Sequence, residues 1–285
     1  MFKQPRQVTV RDVPIAPDVQ DGIYTVLSER KPVMKHDNFI RHTPRILCEI
    51  AAIVALILAF GTLPRAVFGQ AATRPDAIKI GIIGSGNIGS TLGTLWVKSG
   101  HPVLFSSRHP EELKSLVDGL GPLARAGTVS EALSFSNVVF IGVPYGAYPQ
   151  ISKDYAKEFV GKIVIDAGNA VLARDGEIAK PARENGVGLT SAKLLAGARI
   201  VRAFNILSFR KVANLSNRPE GRIAIPMAGD DEEALKVASG LVRDAGFEPV
   251  ILGSLQRSKV FEQGGPLYGQ EISAQEMRER LKTLP

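Results

Sequence analysis

The stretch IKIGIIGSGNIGSTLGTLWVKSGH, Ile78 to His101, decides how the rest of this 285-residue chain is read. An apolar strand over Ile78–Ile83 passes through Gly84-Ser85-Gly86-Asn87-Ile88-Gly89 into a helix that ends near Gly100, and a second strand starts at Pro102. A bare GxGxxG says little, because glycine is common in turns of every kind. Set between a strand and a helix, it is the fingerprint of a dinucleotide-binding unit. Each glycine then has its own physical reason. Gly84 makes the sharp turn, Gly86 leaves room for a pyrophosphate against the backbone, and Gly89 lets the helix pack on the strand. The phosphates belong at the positive end of that helix.

The second strand ends in VLFSSRHPEEL, about twenty residues beyond the first glycine. Proteins that bind NAD usually carry an acidic residue there, which accepts hydrogen bonds from the ribose and repels a 2′-phosphate. This chain offers Ser106, Ser107 and Arg108 instead. Two hydroxyl donors and a permanently charged planar fork predict NADP. The competing reading is a solvated polar turn that caps the helix starting near Pro110.

Strand, turn and helix then repeat. NVVFIGVPYGAY supplies a strand over Val138–Val143 that stops at Pro144, GKIVIDAGNAV one that ends at Asp166-Ala167-Gly168-Asn169, and ARIVRAFNIL one that ends at Asn205. The predicted class is α/β: a Rossmann-type, doubly wound, mostly parallel sheet flanked by helices, with a small C-terminal extension. Ligands of such sheets bind beyond the carboxyl ends of the strands. Val143, Pro144, Asn169 and Asn205 therefore point toward the nicotinamide half of a cleft, although Asn169 could equally stitch its own loop.

Composition agrees with an enzyme-sized fold. Hydrophobic residues make up 45% of the chain, enough for a large core, and 28 glycines suit many strand-to-helix turns. The formal charge of +7 is spread without a basic block, which speaks against nucleic acid as a partner. It fits phosphorylated small molecules or an anionic lipid surface. A lone cysteine, Cys48, excludes an intrachain disulfide and a cysteine metal cluster.

Residues 1–76 read as a leader. Met1–Val33 has scattered prolines and no sustained period, and disorder is expected there. Lys35, Arg41 and Arg45 then precede an uncharged run from Ile50 to Gly61, Pro64, and the small residues Gly69, Ala71 and Ala72. That order suits a signal peptide or membrane anchor at about 46–71, with membrane contact through 46–63; a buried helix is the alternative. Export to the periplasm or anchoring follows from it, against a cytoplasmic location favoured by the nucleotide, and Met34 is an alternative start. Residues 77–285 form the NADP-binding domain, with about 206–285 on the acceptor side.

IGIIGSGNIGSTLG, SSR, GVPYGAY, DAGNAV, VRAFN and AGDDEEALKVASGLVRDAGFEPVILGSLQRSKVFEQGGPLYG, in that order, resemble the NADP oxidoreductases that use the deazaflavin coenzyme F420. The reductase domain of the six-transmembrane metalloreductases is similar too. The resemblance spans roughly Ile78 to Gly269. It implies a hydride passed between NADP and a flavin-like ring, with Gly84–Ile88, Ser107, Arg108 and the Val143-Pro144 backbone holding the nucleotide. The second basic residue that members often carry after the arginine is replaced here by His109-Pro110-Glu111-Glu112.

The histidines bear on mechanism independently. His36, His42, His101 and His109 all lie away from the carboxyl ends of the later strands. A dehydrogenase acting on an alcohol normally needs a positioned acid or base, whereas transfer to a flavin-type ring asks mainly that two rings be held face to face. Tyr145 and Tyr148 lie near enough to substitute, but no catalytic acid or base is assigned, and no metal site. Asp230–Glu233 read as a helix-capping turn. An acceptor pocket bordered by Asn169, Asn205 and Tyr268 is expected, and the amphipathic segment QEISAQEMRERL is a candidate subunit contact in a homo-oligomer. The leading function is an NADPH-dependent reductase of a small-molecule hydride acceptor; a non-catalytic NADP-binding redox sensor is the alternative.

Overall fold

The computed structural model describes residues 74–284. The predicted leader, 1–76, lies outside them except for its last three residues, where Arg74 pairs with Asp76 and Asp244; the signal peptide or anchor at about 46–71 and the expected membrane contact fall wholly outside. Among the described residues, no helix is long and apolar enough to cross a membrane.

Eight strands form one sheet in the order β3-β2-β1-β4-β5-β6-β7-β8. They are β1 (Ile80–Ile83), β2 (Val103–Ser106), β3 (Ala124–Gly127), β4 (Val138–Ile141), β5 (Ile163–Asp166), β6 (Arg199–Arg202), β7 (Ala224–Gly229) and β8 (Glu248–Ile251). The first six run parallel; β7 turns back against β6 and β8 follows β7 in parallel. This is the doubly wound sheet that the repeating pattern predicts, with β1 flanked by β2 on one side and β4 on the other. The chain reverses its winding there, so the cleft at the carboxyl end of β1 is the natural ligand site.

The helices are α1 (Asn87–Lys98), α2 (Lys114–Leu120), α3 (Val129–Phe135), α4 (Tyr148–Phe159), α5 (Leu172–Asp175), α6 (Ala179–Asn185), α7 (Val187–Leu194), α8 (Phe209–Leu215), α9 (Glu232–Asp244) and α10 (Ala274–Leu281). Strand side chains alternate between two cores. Ile80, Ile82, Phe105, Phe140 and Ile165 face α1 and α9, while Ile83, Val139, Ile141 and Val164 face α4, α6 and α7. Both faces are covered, and the strands accordingly read as continuous apolar runs. Trp96 joins the first core at edge-on distances of 5.6 Å from Phe140 and 6.1 Å from Phe204, and its indole N–H donates to the Leu241 carbonyl.

Several elements depart from the sequence reading. Strand β3 has no apolar run, being Ala-Arg-Ala-Gly at the sheet edge, and pairing with β2 rather than side-chain pattern makes it a strand. A sequence reading places a helix after Ser254; the segment instead forms a 3₁₀ helix, Leu255–Phe261. Helix α10 buries Met277 against the chain's own β7 and β8. The acids at the start of α9 are occupied as expected of a cap: Asp231 accepts from the Ala234 N–H and holds Arg199, and Asp230 accepts from the Leu255 N–H.

Arg199 holds the Asp231 carboxyl down at about 2, with help from the helix amide. A carboxyl lowered on folding stabilises the fold above its ordinary value and loses that contribution as pH falls toward the folded value. Asp231→Asn should therefore show a shallower loss of stability than the wild type as pH falls from about 4 to about 2, read as urea midpoints across that range; parallel acid limbs for the two proteins would contradict the assignment.

Candidate functional site

The glycine turn is built as the sequence suggests. Gly84 has φ +89°, and a Cβ there would stand 2.3 Å from Val143 Cγ1, so no other residue fits the corner. A Cβ on Gly89 would stand 2.2 Å from the Gly84 carbonyl oxygen, which is how closely α1 approaches the turn. Gly86 differs from both. Its backbone is extended (φ −72°), and a Cβ there would meet nothing within 4 Å, because it would project into open space at the helix entrance.

That entrance is equipped for an anion. Helix α1 starts at Gly86 with no side-chain cap and no acid in its first turn, whereas α3, α8, α9 and α10 start on Thr128, Ser208, Asp231 and Ser273, each accepting a backbone N–H. The Asn87, Ile88 and Gly89 amides at the start of a twelve-residue helix are left facing outward. Ser85 anchors the turn by donating its N–H to the Ser106 carbonyl, and its own hydroxyl has no partner among the described residues.

The second-strand turn divides its residues. Ser106 is fully buried, and its hydroxyl donates to the Ile82 carbonyl at 2.7 Å. The expectation of two hydroxyls facing a phosphate is thus corrected: Ser106 ties β2 to β1, because it is the last residue of a strand buried along its whole length. Ser107 is half-buried and its Oγ accepts the His109 N–H at 3.1 Å, leaving its proton free to donate. Arg108 is exposed, and it makes no hydrogen bond or ion pair among the described residues. With Ile83 paired to Ser106, this turn lies beside the glycine cradle. Nearby charges do not compete: Glu111 lies 3.4 Å from His109, and Lys114 is paired with Asp118.

At the carboxyl ends of β1, β4, β5 and β6 opens a cleft of about 380 Å³. Gly86, Asn87 and Ile88 form one wall and Gly142, Val143 and Pro144 a second; Ala167, Gly168 and Asn169 make the floor. Phe204, Asn205, Leu207, Ser208, Phe209 and Arg174 close the far side. The sequence reading brings Val143, Pro144, Asn169 and Asn205 here correctly. Asn169 lines the cleft and also stitches the loops, its Nδ2 donating to the Asn205 carbonyl at 2.8 Å. Tyr268 does not line the cleft; of the C-terminal portion from 206, only Leu207, Ser208 and Phe209 reach it, and the remainder builds the sheet edge and its cover.

Sequence reasoning passes over Arg174. Its guanidinium forks onto Asp175 at 2.8 Å and donates to the Asn169 carbonyl at 2.7 Å. Burial would raise the Asp175 carboxyl, but Arg174 and the Val171 and Gly146 amides hold it below the ordinary range. The adjacent Arg-Asp pair just beyond DAGNAV is the available signal. Phe204 also escapes a reading of the sequence: it takes a left-handed φ of +62°, which drives its ring into the core beside Trp96 and Phe247 and turns Asn205 toward the cleft.

Neither tyrosine can serve as an acid or base here. Tyr145 and Tyr148 are buried behind the floor, and burial pushes the Tyr145 hydroxyl up to about 12. Burial, then the Asp166 carboxylate, raises Tyr148 further above the phenol range, and its hydroxyl donates to Asp166 Oδ1 at 2.6 Å. Among the residues lining the cleft, the single titratable side chain is Arg174.

Residues 79–170 match the family described as NADP oxidoreductase coenzyme F420-dependent. Metalloreductase STEAP3 of Rattus norvegicus is 30% identical over 187 residues, which cover 66% of this chain and 36% of that protein. Metalloreductase STEAP2 of Mus musculus is 26% identical over 65% of this chain and 35% of its own length. The chain thus spans about a third of the length of these curated relatives. Among solved structures, the hypothetical protein SMa0349 from Sinorhizobium meliloti is 30% identical with a TM-score of 0.60, covering 69% of this chain and 95% of that one.

Gly86→Val gives a direct test of the cradle. Its side chain would occupy open space, so the melting temperature should stay within a few degrees of the wild type, while calorimetry should find dinucleotide binding abolished. Unchanged affinity in the folded variant would refute the phosphate role of this turn.

Proposed function

The chain belongs to the NADP oxidoreductase coenzyme F420-dependent family, and from that premise we propose that it is an NADPH-dependent reductase that delivers a hydride to a flavin-like small-molecule acceptor. One observation carries the reading: a dinucleotide cradle opens into a cleft whose lining offers backbone, amide and apolar groups, the Ser208 hydroxyl and the Arg174 guanidinium, but no histidine, carboxylate, lysine or tyrosine. Such a lining suits ring-to-ring hydride transfer, in which the chemistry comes from the bound nucleotide. What the protein supplies is position and the exclusion of water.

The residues divide that work. The Asn87 and Ile88 amides and the open face of Gly86 take the pyrophosphate. Arg108 and the Ser107 hydroxyl take the 2′-phosphate, and the absence of a carboxylate at the end of β2 removes the repulsion that would favour NAD. Val143 and Pro144 form one wall for the nicotinamide, with Gly168 and Asn169 beneath it. The acceptor enters past Phe209, Ser208 and Arg174, where the guanidinium is fixed by Asp175. Flavin, deazaflavin and ferric chelates are all candidates, the last because the curated relatives are named metalloreductases.

Arg108→Ala should weaken NADPH by about 1.5–3 kcal/mol, roughly ten- to a hundred-fold, and leave NADH little changed; equal losses for both nucleotides would remove the 2′-phosphate assignment. Reductase activity is tested by NADPH oxidation across deazaflavin, riboflavin, FMN, FAD and ferric chelates. Turnover of at least one is the expected result, and tight NADPH binding without turnover of any would favour a redox sensor.

A further inference from the structure

Behind the floor of the cleft lies a buried ion pair with no place in the scheme above. Asp166 ends β5 and Arg202 ends β6; the two are register partners and both are fully buried. Arg202 Nη1 approaches Asp166 Oδ1 at 2.9 Å and the Asp166 backbone carbonyl at 3.0 Å. The same Oδ1 accepts the Tyr148 hydroxyl at 2.6 Å and the Gly168 N–H at 2.8 Å.

These bonds end at the floor. The turn Ala167-Gly168-Asn169 begins on the carboxylate, through the Gly168 amide, and finishes on two further ties: Asn169 Nδ2 to the Asn205 carbonyl and Arg174 Nη2 to the Asn169 carbonyl. It cannot move back, because a Cβ on Gly168 would already stand 2.4 Å from the Tyr148 hydroxyl. Held from behind and at both ends, it offers a rigid surface to whatever lies in the cleft.

Stability alone does not account for the pair. Asp166 Oδ2 and Arg202 Nε and Nη2 are buried with no hydrogen-bond partner among the described residues; the sheet face around them carries Ile141, Val164 and Ile200, and the one other carboxylate that acts on Arg202, buried Glu262, is itself held by the Val187 and Gly188 amides and the Ser258 hydroxyl. Apolar side chains of similar volume commonly replace such a pair with no loss of stability, or with a gain. An incompletely satisfied network at the end of two strands, directly under a ligand cleft, instead asks for a role in geometry.

We propose that Asp166, held by Arg202 and Tyr148, is a positioning residue: it fixes the Gly168-Asn169 turn against which the nicotinamide ring lies, and so governs hydride transfer more than nucleotide affinity. The inference rests on the reading that the cleft takes NADPH. Affinity is set elsewhere, at the cradle and Arg108, which lie on the opposite side of β1. Burial and the Asp166 carboxylate raise the Tyr148 phenol, which favours the protonated form that donates to Asp166 Oδ1.

The test uses Asp166→Leu/Arg202→Met, which removes both charges together, and Tyr148→Phe, which keeps the ion pair and removes one donor. NADPH affinity is read by calorimetry, ring placement by the emission of bound NADPH, and the chemical step by single-turnover oxidation with the acceptor that the wild type reduces fastest. The double variant should bind NADPH within about threefold of the wild type, show the emission of a loosely held ring, and transfer hydride roughly a hundredfold more slowly. Tyr148→Phe should show the same split at about tenfold, and it decides the matter alone if the double variant does not fold. Wild-type emission and transfer rate in a folded variant would overturn the positioning role, as would equal losses in affinity and rate. Failure of the wild type to bind NADPH would instead bring down the functional reading itself, and this inference with it.

Discussion

The close approach of α1 to the end of β1 is the constraint on which the site depends. With the Gly84 carbonyl oxygen only 2.2 Å from where a Gly89 Cβ would stand, and Gly93 pressed against the Phe105 and Ile82 side chains, the helix puts no side chain of its own into these two contacts. That contact fixes where the helix begins and where its first amides aim. An ordinary residue at Gly89 would lift the helix away and carry the anion-binding end out of the cleft. The buried stripe Leu92, Trp96 and Val97 then locks the helix from its far end, so the entrance is positioned by core packing and not by the loop.

Sheet polarity does the rest. Six parallel strands end on one edge, and five of them deliver a short turn to the ligand side: the cradle after β1, Ser107-Arg108 after β2, Val143-Pro144 after β4, the Asn169 turn after β5 and Asn205 after β6. Four of these turns meet around one cleft, while the turn after β2 stands one strand beyond β1, where the far end of a long ligand reaches it. The nucleotide proposed above would run along this edge from the Ser107-Arg108 turn toward the Asn169 turn.

Much of this is legible in the sequence because the signals are local. Glycine positions, apolar strand runs and the residue following a strand are set by contacts within a few residues, and parallel winding converts chain order into spatial order. What the sequence does not disclose depends on pairing at a distance. Ser106 and Ser107 look alike in a string of letters, and only where the buried strand stops, with Ser106 its last residue and Ser107 the first beyond it, separates a tie to Ile82 from an available donor. Strand β3 carries no apolar pattern, and its existence comes from β2. Tyr268 follows a glycine-rich stretch that resembles a site loop, yet that loop folds back so that Leu267 fills the core and the Tyr268 N–H donates to the Gly265 carbonyl. Phe204 and Arg174, which do shape the cleft, act through a left-handed backbone and a neighbouring carboxylate, neither of which leaves a periodic trace.

The two sides of the cleft are made of different materials, and the difference follows the work each must do. On the β1–β2 side the groups available to a ligand are exposed: backbone amides and an arginine with no partner among the described residues, already solvated, whose interaction with phosphate is screened and reversible. Such groups can bind a nucleotide without requiring it to lie within a fraction of an ångström. On the β5 side the floor is a turn held by a carboxylate, an arginine and a tyrosine withdrawn wholly from water, where hydrogen bonds are stiff and misplacement is costly. Hydride transfer is sensitive to separation in a way that phosphate binding is not, since rate depends on the reacting atoms being held close and aligned. Among the described residues the cleft lining holds no histidine, carboxylate, lysine or tyrosine, so its walls act on a ligand by holding it, and on the β5 side the wall is backed by a buried ion pair.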